Sequence, residues 1–384
     1  MNWQNKVYCG DCREFLREMP DGCVQLVVTS PPYWAQRDYK LPPLIWDEDP
    51  NCEHEWVEFE GKKKRGNWGG NRGGWKRKSR KLHPGNEDQV SNFCLECGAW
   101  RGQLGLEPTL ELYVTHLTQI FIEVRRVLND KGTLWLVLGD TYWGSGGSVG
   151  HTYETKNLGR RTFDYGAFPT AALAQQKHDY LKPKDLCMIP FHIAHALQRD
   201  GWWLRQINIW WKRNSMPESV KDRTTTDYEF VFHFSKSKRY YYNADAIREP
   251  HKKSSLERMK AGRHSPGDGT KFTEQSNRYC SDHDCHPKGR NKRAVWDISV
   301  VSNRGNIHFA VFPEKLVEIP VLACSREGDL VMDPFCGTGT TLAVAKRLGR
   351  SYLGFDLSEK YCKFAKRRLA AIPEYLIQDG GMPL

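Results

Sequence analysis

Short apolar runs alternate with amphipathic segments along most of the chain. Residues 24–30, VQLVVTS, are apolar and β-branched without alternation, which is typical of a strand buried on both faces. Residues 109–128 instead repeat their apolar side chains at helical spacing behind Pro108. Because such strands and helices alternate, the pattern predicts an α/β fold with a doubly wound, mostly parallel sheet. Further strands are predicted at 132–140, 204–212, 228–237, 329–335 and 351–357, and further helices at 187–202, 313–324, 340–349 and 358–372.

Three polar stretches interrupt this alternation and are predicted to be insertions. Residues 40–105 are rich in Gly, Lys, Trp and Cys, residues 144–182 lack clear periodicity, and residues 243–306 are basic. We therefore expect a core assembled from 1–39, 106–242 and 307–384.

The composition favours a polyanionic partner and excludes a membrane span. The chain has 384 residues, a formal net charge of +11 and 12% aromatic residues. A basic balance of this size indicates nucleic acid first, and aromatic rings can stack on bases. No stretch of 18 apolar residues is present, and the first residues lack the layout of a signal peptide. Twelve cysteines in a chain of this length favour a reducing cytoplasm over a secreted disulfide scaffold.

A glycine-rich turn lies between the predicted strand 329–335 and the next helix. Its sequence, VMDPFCGTGTT (331–341), matches neither a dinucleotide fingerprint nor a phosphate-binding loop. Asp356 ends the following strand, where a carboxylate can bind ribose hydroxyls in a doubly wound fold. A ligand with a ribose but no phosphates, such as S-adenosylmethionine, fits this pattern. The alternative is a plain strand–helix turn.

A second unusual segment follows the first buried strand. Ser30, Pro31, Pro32 and Tyr33 stop the strand and precede Trp34. Two prolines at this place predict either an ordinary turn or a rigid rim that grips a planar ring.

Taken together, the segments 333–339 (DPFCGTG) and 29–34 (TSPPYW) resemble the two signature motifs of DNA amino-methyltransferases. The order is that of the β class, in which the catalytic motif precedes the cofactor motif. Gly10-Asp11 before the first buried strand and IHFAVFPEKL (307–316) also resemble family segments. The resemblance implies a Rossmann-like methyltransferase fold in permuted order, with S-adenosylmethionine as cofactor and double-stranded DNA as partner.

The same resemblance implies roles for individual residues. Asp356 is expected to bind the ribose hydroxyls of the cofactor, and Asp11 is expected to contact its adenine end. The methionine side of the cofactor is expected to lie against the glycine-rich turn and against two residues of the segment 307–316. Its predicted contacts are Asp333, Phe335, Gly337, Gly339, Thr340, His308 and Phe312.

The catalytic motif suits methylation of an exocyclic amine. The Ser30 hydroxyl and the Pro31 carbonyl can each accept a hydrogen bond from the amine, and Pro32 stiffens the segment. Tyr33 can stack on the base, which must be flipped out of the duplex. In this family serine at position 30 goes with cytosine N4, whereas Asp or Asn goes with adenine N6. No Pro-Cys pair exists in the chain, which argues against C5 methylation.

Cytosine N4 in duplex DNA is therefore the predicted target, with adenine N6 as the alternative. RNA or protein-amide methylation and a non-enzymatic zinc-containing nucleic-acid-binding protein are further alternatives. A cognate restriction enzyme is a candidate partner, and the chain is expected to act as a monomer or homodimer.

Four metal-ligating residues lie in the first insertion. Cys94-x-x-Cys97 is typical of one half of a zinc knuckle, and Cys52-x-His54 is a candidate second half. We predict a structural zinc site from these four, and free thiols are the alternative. Between the halves, residues 61–82 carry ten lysines and arginines with Trp68 and Trp75, which favours contacts with DNA.

The insertion 243–306 occupies the place of the target-recognition region in the β class. Its basic residues are candidates for base or phosphate contacts. CSDHDCH (280–286) is a weaker candidate for a second metal site. Asn214, Ser219 and Arg223 are candidates for contacts with the target, with turn and capping roles as the alternative.

Overall fold

The helices and strands follow one another in the order predicted by the hydrophobic pattern. The computed structural model describes residues 2–56, 92–144, 178–260, 286–300 and 311–373. Its strands are β1 (Lys6–Cys9), β2 (Val24–Thr29), β3 (Leu44–Trp46), β4 (Trp100–Gly102), β5 (Leu128–Leu138), β6 (Trp203–Trp211), β7 (Tyr228–Ser235), β8 (Val295–Asp297), β9 (Leu330–Asp333) and β10 (Ser351–Asp356). Its helices are α1 (Cys12–Glu18), α2 (Leu110–Val127), α3 (Ile189–Arg199), α4 (Lys253–Lys260), α5 (Glu314–Cys324), α6 (Thr340–Arg347) and α7 (Glu359–Ala370).

Eight strands form one sheet in the order β1-β10-β9-β2-β5-β7-β6-β8. All neighbours pair in parallel except β7, which is antiparallel to both β5 and β6. The connection from β6 to β7 spans residues 212–227 and contains no helix, so the chain turns back beside the strand it has just left. The predicted mostly parallel α/β sheet is confirmed.

The chain divides into two compact units. The first contains 1–31, 120–139 and 194–384, and the second contains 32–119 and 140–193. All eight strands of the large sheet belong to the first unit, and the β3–β4 hairpin belongs to the second. The insertion boundaries drawn from the sequence remain a prediction.

The core of the first unit lies on both faces of its central strands. All six residues of β2 are buried, and β9 and β5 flank the strand on its two edges. One apolar cluster joins Leu26 and Val28 of β2 to Leu316 and Val321 of α5. Burial of a side chain of this size contributes roughly 1.5–3 kcal/mol, so this packing holds α5 against the sheet.

The observed boundaries differ from the predicted ones mainly where polar residues enter an element. β5 begins at Leu128 rather than at residue 132. The hydrophobic pattern missed the start of this strand because residues 129–131 are polar. β1 and α1 had no clear apolar periodicity and were not predicted. Within the described residues, no helix is long and apolar enough to cross a membrane.

Candidate active site

The carboxyl ends of β2 and β9 lie where the strand order of the sheet reverses. The strand after β2 in the core lies on one side of this pair, and the strand after β9 lies on the other. The two strands pair directly, with Leu26 opposite Val331 and Val27 opposite Met332. From β2 the sheet continues through β5, and from β9 it continues through β10. In open α/β sheets, ligands bind at the carboxyl ends of the strands at such a switch point. The predicted catalytic and glycine-rich segments begin at these two strand ends.

A buried hydrogen bond joins the two strand ends. The Thr29 hydroxyl donates to Asp333 Oδ1 over 2.6 Å, and the Phe335 N–H donates to the same oxygen over 3.0 Å. Burial raises the pKa of Asp333 to about 6, although these donors lower it. Thr341 adds a second link, because its hydroxyl donates to the Val28 carbonyl over 3.1 Å. Asp333 therefore holds the glycine-rich turn against the end of β2.

The glycine-rich turn presents its backbone to the end of β10. The Gly337 N–H donates to Asp356 Oδ2 over 2.9 Å. Gly339 caps α6 with φ of 77°, a conformation that favours glycine. A Cβ atom there would lie 2.9 Å from the Cβ of Ala365, so α7 packs directly against the turn.

Asp356 is a largely buried carboxylate whose neighbours are backbone N–H groups. Ser358 donates to its Oδ1 over 2.8 Å, and Gly337 donates to Oδ2. Burial raises the pKa of Asp356 to about 6, and the two N–H donors lower it only in part. The side chain is ionised at neutral pH and can accept further hydrogen bonds, as a ribose site requires.

Asp11 lies at the end of β1, beside β10. The Gly10 N–H donates to the Asp356 carbonyl over 2.9 Å, which brings the two segments together. Asp11 caps α1 through its Oδ1, and Arg13 donates to its Oδ2 over 2.6 Å. The carboxylate therefore fixes the local backbone and the Arg13 side chain, and its predicted contact with adenine stays a prediction.

The remaining predicted cofactor contacts lie on three segments. Phe335, two residues after Asp333, is half-buried. Thr340 is buried, and its hydroxyl accepts a hydrogen bond from Arg368 over 3.0 Å. Phe312 packs against the apolar core cluster just before α5. His308 lies outside the described residues.

Ser30 and Pro31 follow β2 at the switch point, and Pro32 and Tyr33 begin the second unit. Ser30 is half-buried and Pro31 is buried. Within the second unit, the Tyr113 hydroxyl donates to the Pro32 carbonyl over 2.8 Å. Tyr33 is half-buried, so its ring retains surface that a base could contact.

The four predicted zinc ligands come together in the second unit. One ligand atom from each of Cys52, His54, Cys94 and Cys97 lies within 4.8 Å of every other. Cys52 Sγ is 3.8 Å from Cys94 Sγ, and Cys97 Sγ is 3.4 Å from His54 Nδ1. Burial raises the pKa of Cys94, but the N–H groups of Cys97 and Glu96 stabilise its thiolate and lower the pKa to about 6.

Three functional candidates were missed from the sequence. Thr29 and Thr341 carry the bonds that join β2 to the glycine-rich turn, and no sequence signal singles out a threonine for this role. Asp140, which follows β5, carried a signal, because Gly-Asp closes a buried strand. Its Oδ1 accepts from Ile189 N over 3.1 Å. In the described part of the chain its buried Oδ2 has no hydrogen-bond partner.

The candidate target contacts after β6 are held by the protein itself. Asn214 exchanges two hydrogen bonds with the backbone of Val300, over 3.0 and 2.8 Å. Arg223 donates to Glu218 over 2.7 Å. The Asn214 bonds join two segments distant in sequence, whereas the Arg223 bond is local, and the predicted contacts with the target stay a prediction. The basic segment 61–82 and residues 280–285 lie outside the described residues.

Comparison with known proteins gives the family. The profile of the DNA methylase family, named for its N6 and N4 methyltransferases, matches residues 24–367. The type II methyltransferase M.SmaI of Serratia marcescens is 33% identical over 364 residues, which cover 95% of this chain and 90% of that protein. M.Cfr9I of Citrobacter freundii is 32% identical over 360 residues, covering 94% and 86%. The chain therefore belongs to the DNA methylase family.

A solved structure supports the fold independently. The PvuII DNA methyltransferase, described as cytosine-N4-specific, superposes with a TM-score of 0.52 at 16% identity, covering 99% of this chain and 92% of that one. The predicted Rossmann-like methyltransferase fold is thereby confirmed. The chain is a DNA methyltransferase of the amino-methyltransferase family.

Proposed function

We propose that this methyltransferase transfers a methyl group from S-adenosylmethionine to the N4 amine of a flipped cytosine in duplex DNA. The observation that carries the proposal is the 2.6 Å bond between Thr29 and Asp333. It brings the start of the segment 30–33 and the glycine-rich turn to adjacent strand ends. A base on the first and a methyl donor on the second would then share one edge of the sheet.

The proposed roles of the cofactor residues are supported by their positions at that edge. Asp356 would accept the ribose hydroxyls, since its carboxylate is ionised at neutral pH and oriented by two N–H groups. Asp11 and the backbone that it caps would lie at the adenine end. Gly337 and Gly339 let the backbone approach the methionine side closely. S-adenosylmethionine supplies the methyl group as an electrophilic sulfonium.

The amine is held by acceptors at the end of β2. Its lone pair is delocalised into the ring, so the site must orient the nitrogen toward the methyl group. The Ser30 hydroxyl and the Pro31 carbonyl would accept one hydrogen bond each, which favours a pyramidal nitrogen and stabilises its developing charge. Most of the rate would then come from alignment of amine, methyl and sulfur.

The choice of cytosine rests on Ser30. Within the family that the sequence resembles, serine in this position goes with cytosine N4 and Asp or Asn with adenine N6. Adenine N6 is the second candidate. Methylation of RNA or of a protein amide is disfavoured, because the profile and the relatives are those of DNA and type II methyltransferases. A cognate restriction enzyme is the partner that a type II enzyme would have.

A labelled methyl group separates these alternatives. The purified chain is incubated with labelled S-adenosylmethionine and duplex DNA, RNA or protein, and the DNA is digested to nucleosides. We expect label in N4-methylcytosine from duplex DNA. Label only in N6-methyladenine would move the assignment to the second candidate, and label only in RNA or protein would overturn it.

We also propose that Cys52, His54, Cys94 and Cys97 hold a structural zinc ion. A tetrahedral ion with Zn–S bonds of about 2.3 Å places two sulfurs roughly 3.8 Å apart, which matches the Cys52–Cys94 distance. A disulfide would need about 2.05 Å, so these thiols are not paired. Metal analysis should find one zinc per chain. Cys94→Ser should lose it, and the control Cys23→Ser, outside the cluster, should keep it.

A further inference from the structure

The segment that follows Ser30 and Pro31 is held from three sides within the second unit. The Pro32 carbonyl accepts from the Tyr113 hydroxyl over 2.8 Å. The Trp34 indole N–H donates to the Glu107 carbonyl over 3.0 Å, and the Ala35 N–H donates to the Gly105 carbonyl over 2.8 Å. These bonds fix the backbone on both sides of Tyr33.

Gly105 packs against this segment so closely that no side chain fits. Its φ is +91°, and a Cβ atom would lie 3.1 Å from the Tyr33 carbonyl oxygen and 3.2 Å from the Pro32 Cβ. The Gly105 N–H in turn donates to Glu107 Oε2 over 2.8 Å. The position of the 105–107 loop is therefore set by the Glu107 carboxylate.

Glu107 is fixed by a fully buried histidine. His116 Nδ1 lies 3.1 Å from Glu107 Oε1, and His116 Nε2 lies 3.0 Å from Asp47 Oδ2. The side chains of His116 and Glu107 have no exposed surface. The two contacts engage both ring nitrogens of His116 and so fix its orientation between Glu107 and Asp47. A buried group of this kind is costly unless every member is bonded.

The antiparallel pair of β3 and β4, here called the zinc-linked hairpin because the proposed zinc ligands lie between its strands, packs against His116. Trp46 pairs with Trp100 across β3 and β4, so both indoles leave the same face of the hairpin. The His116 ring stacks on both, with centroids 4.4 and 5.4 Å away and an angle of 22° to each. Both indoles are almost fully buried. The four cysteine and histidine ligands lie between these two strands in sequence, at 52–54 after β3 and 94–97 before β4.

We propose that Tyr113 and His116 are positioning residues that hold the backbone of residues 32–35 for methyl transfer, with the zinc-linked hairpin clamping His116. This inference rests on the proposed function of Ser30 and Tyr33. The two residues lie three positions apart on α2 and thus share one helix face. Tyr113 acts directly on Pro32, and His116 acts through Glu107 and Gly105.

Conservative variants test the proposal without unfolding the chain. Tyr113→Phe removes one hydrogen bond, and such a bond contributes about 0.5–1.5 kcal/mol, or roughly 2- to 13-fold. We expect kcat to fall by that factor while the dissociation constant of S-adenosylmethionine changes less than about twofold. His116→Ala should lower kcat by at least about tenfold. His116→Asn can still donate to Glu107 from the Nδ1 position and should recover part of the loss.

A control separates positioning from stability. Leu117→Ala removes a buried side chain next to His116 and should lower the midpoint of thermal unfolding, with kcat per folded molecule unchanged. An equal loss of kcat in Leu117→Ala would reduce His116 to a structural role and overturn the proposal. Unchanged kcat in both Tyr113→Phe and His116→Ala would also overturn it.

Amide hydrogen exchange tests the same inference when no transfer is measured. The Ala35 N–H should exchange several-fold faster in Tyr113→Phe and in His116→Ala, and in Cys94→Ser once zinc is lost. Peptides from β9 and α6 should not change. Absent transfer by the parent chain would defeat the proposed function, whereas unchanged exchange at Ala35 would defeat the positioning role.

Discussion

At the scale of single residues, the site depends on two carboxylates with different neighbours, one buried (Asp333) and one largely buried (Asp356). Asp333 accepts from the Thr29 hydroxyl and joins two strand ends. Asp356 accepts only backbone N–H groups among its described hydrogen bonds, at Gly337 and Ser358. Burial raises the pKa of each to about 6. We infer that the first is structural and that the second is the one available to a ligand.

Cofactor binding should depend on the ionisation of Asp356. Ribose hydroxyls donate to the carboxylate, so binding favours the ionised form, whose pKa lies about 6 in the folded chain. The affinity for S-adenosylmethionine should be constant above this pH and fall as the pH drops below it. Calorimetry from pH 5 to 7.5 measures this. Asp356→Asn, which leaves Asp333 intact, should bind weakly and show no such slope; the same slope in this variant would contradict the assignment.

Removing the Ser30 hydroxyl should affect chemistry rather than cofactor binding. Loss of one positioned group that stabilises developing charge costs about 10²–10³-fold in kcat. We therefore expect Ser30→Ala to be slow with nearly unchanged cofactor affinity. Asp356→Ala should first weaken cofactor binding, by about 10- to 150-fold, since a hydrogen bond to a charged group contributes about 1.5–3 kcal/mol. Parent-like behaviour of both variants would show that the site lies elsewhere.

Burial of Asp333 should make stability depend on pH, and the bond from Thr29 should contribute most where this carboxylate is ionised. Because the folded pKa of Asp333 is raised above its ordinary value, ionisation opposes folding, and stability from this group falls as pH rises through about 6. Thr29→Val removes a donor to the carboxylate and should cost about 1–3 kcal/mol at pH 7 and less at pH 5. Denaturant unfolding at both pH values measures this, with Thr29→Ser as the control. An equal loss at both pH values would contradict the argument.

At the scale of elements, the turn between β9 and α6 depends on a close approach that only glycine permits. Gly339 has positive φ, and its missing side chain leaves room for Ala365 of α7. Gly328 also has positive φ, at +82°, but nothing lies within 4 Å of its Cβ position. Substitutions at these two glycines therefore separate the free-energy cost of the left-handed backbone conformation from the cost of a steric contact.

Gly339→Ala should therefore destabilise the chain more than Gly328→Ala. The left-handed conformation costs a non-glycine residue about 1–2 kcal/mol, which both variants incur. Gly339→Ala must also displace α7 and should weaken cofactor binding, which Gly328→Ala should leave unchanged. Thermal unfolding and calorimetry compare them. Equal losses in stability and affinity would show that the turn is not packed as described.

The sequence predicts elements well where burial is uniform. β2, β9 and β10 are short apolar runs ended by Pro, Gly or Asp, and their order with the helices was enough to predict the sheet. The sequence predicts elements poorly where a strand at the edge of the sheet contains polar residues. In the described part of the chain β1 and β8 are the two edge strands of the sheet, and neither carries the apolar run of a central strand.

At the scale of the whole molecule, the motifs that carry chemistry could be recognised from the sequence, whereas the contacts that hold them in place could not. Ser30, Asp356 and the four cysteine and histidine ligands stood out, because their residue types and spacing carry chemical meaning. The contacts of Thr29 and His116 join positions 304 and 69 residues apart in the sequence, to Asp333 and Asp47. No local pattern reports such pairs, since they arise only when the chain has folded.

The central claim is that the segment after β2 and the turn after β9 form one site for base and methyl donor. The most direct measurement is the modified base in DNA from cells that produce the parent chain, compared with Ser30→Ala and Asp356→Ala. We predict N4-methylcytosine at a defined sequence for the parent, and strongly reduced modification for each variant although both fold. Undiminished N4-methylcytosine in both variants, or no modified amine in DNA from the parent, would contradict the account.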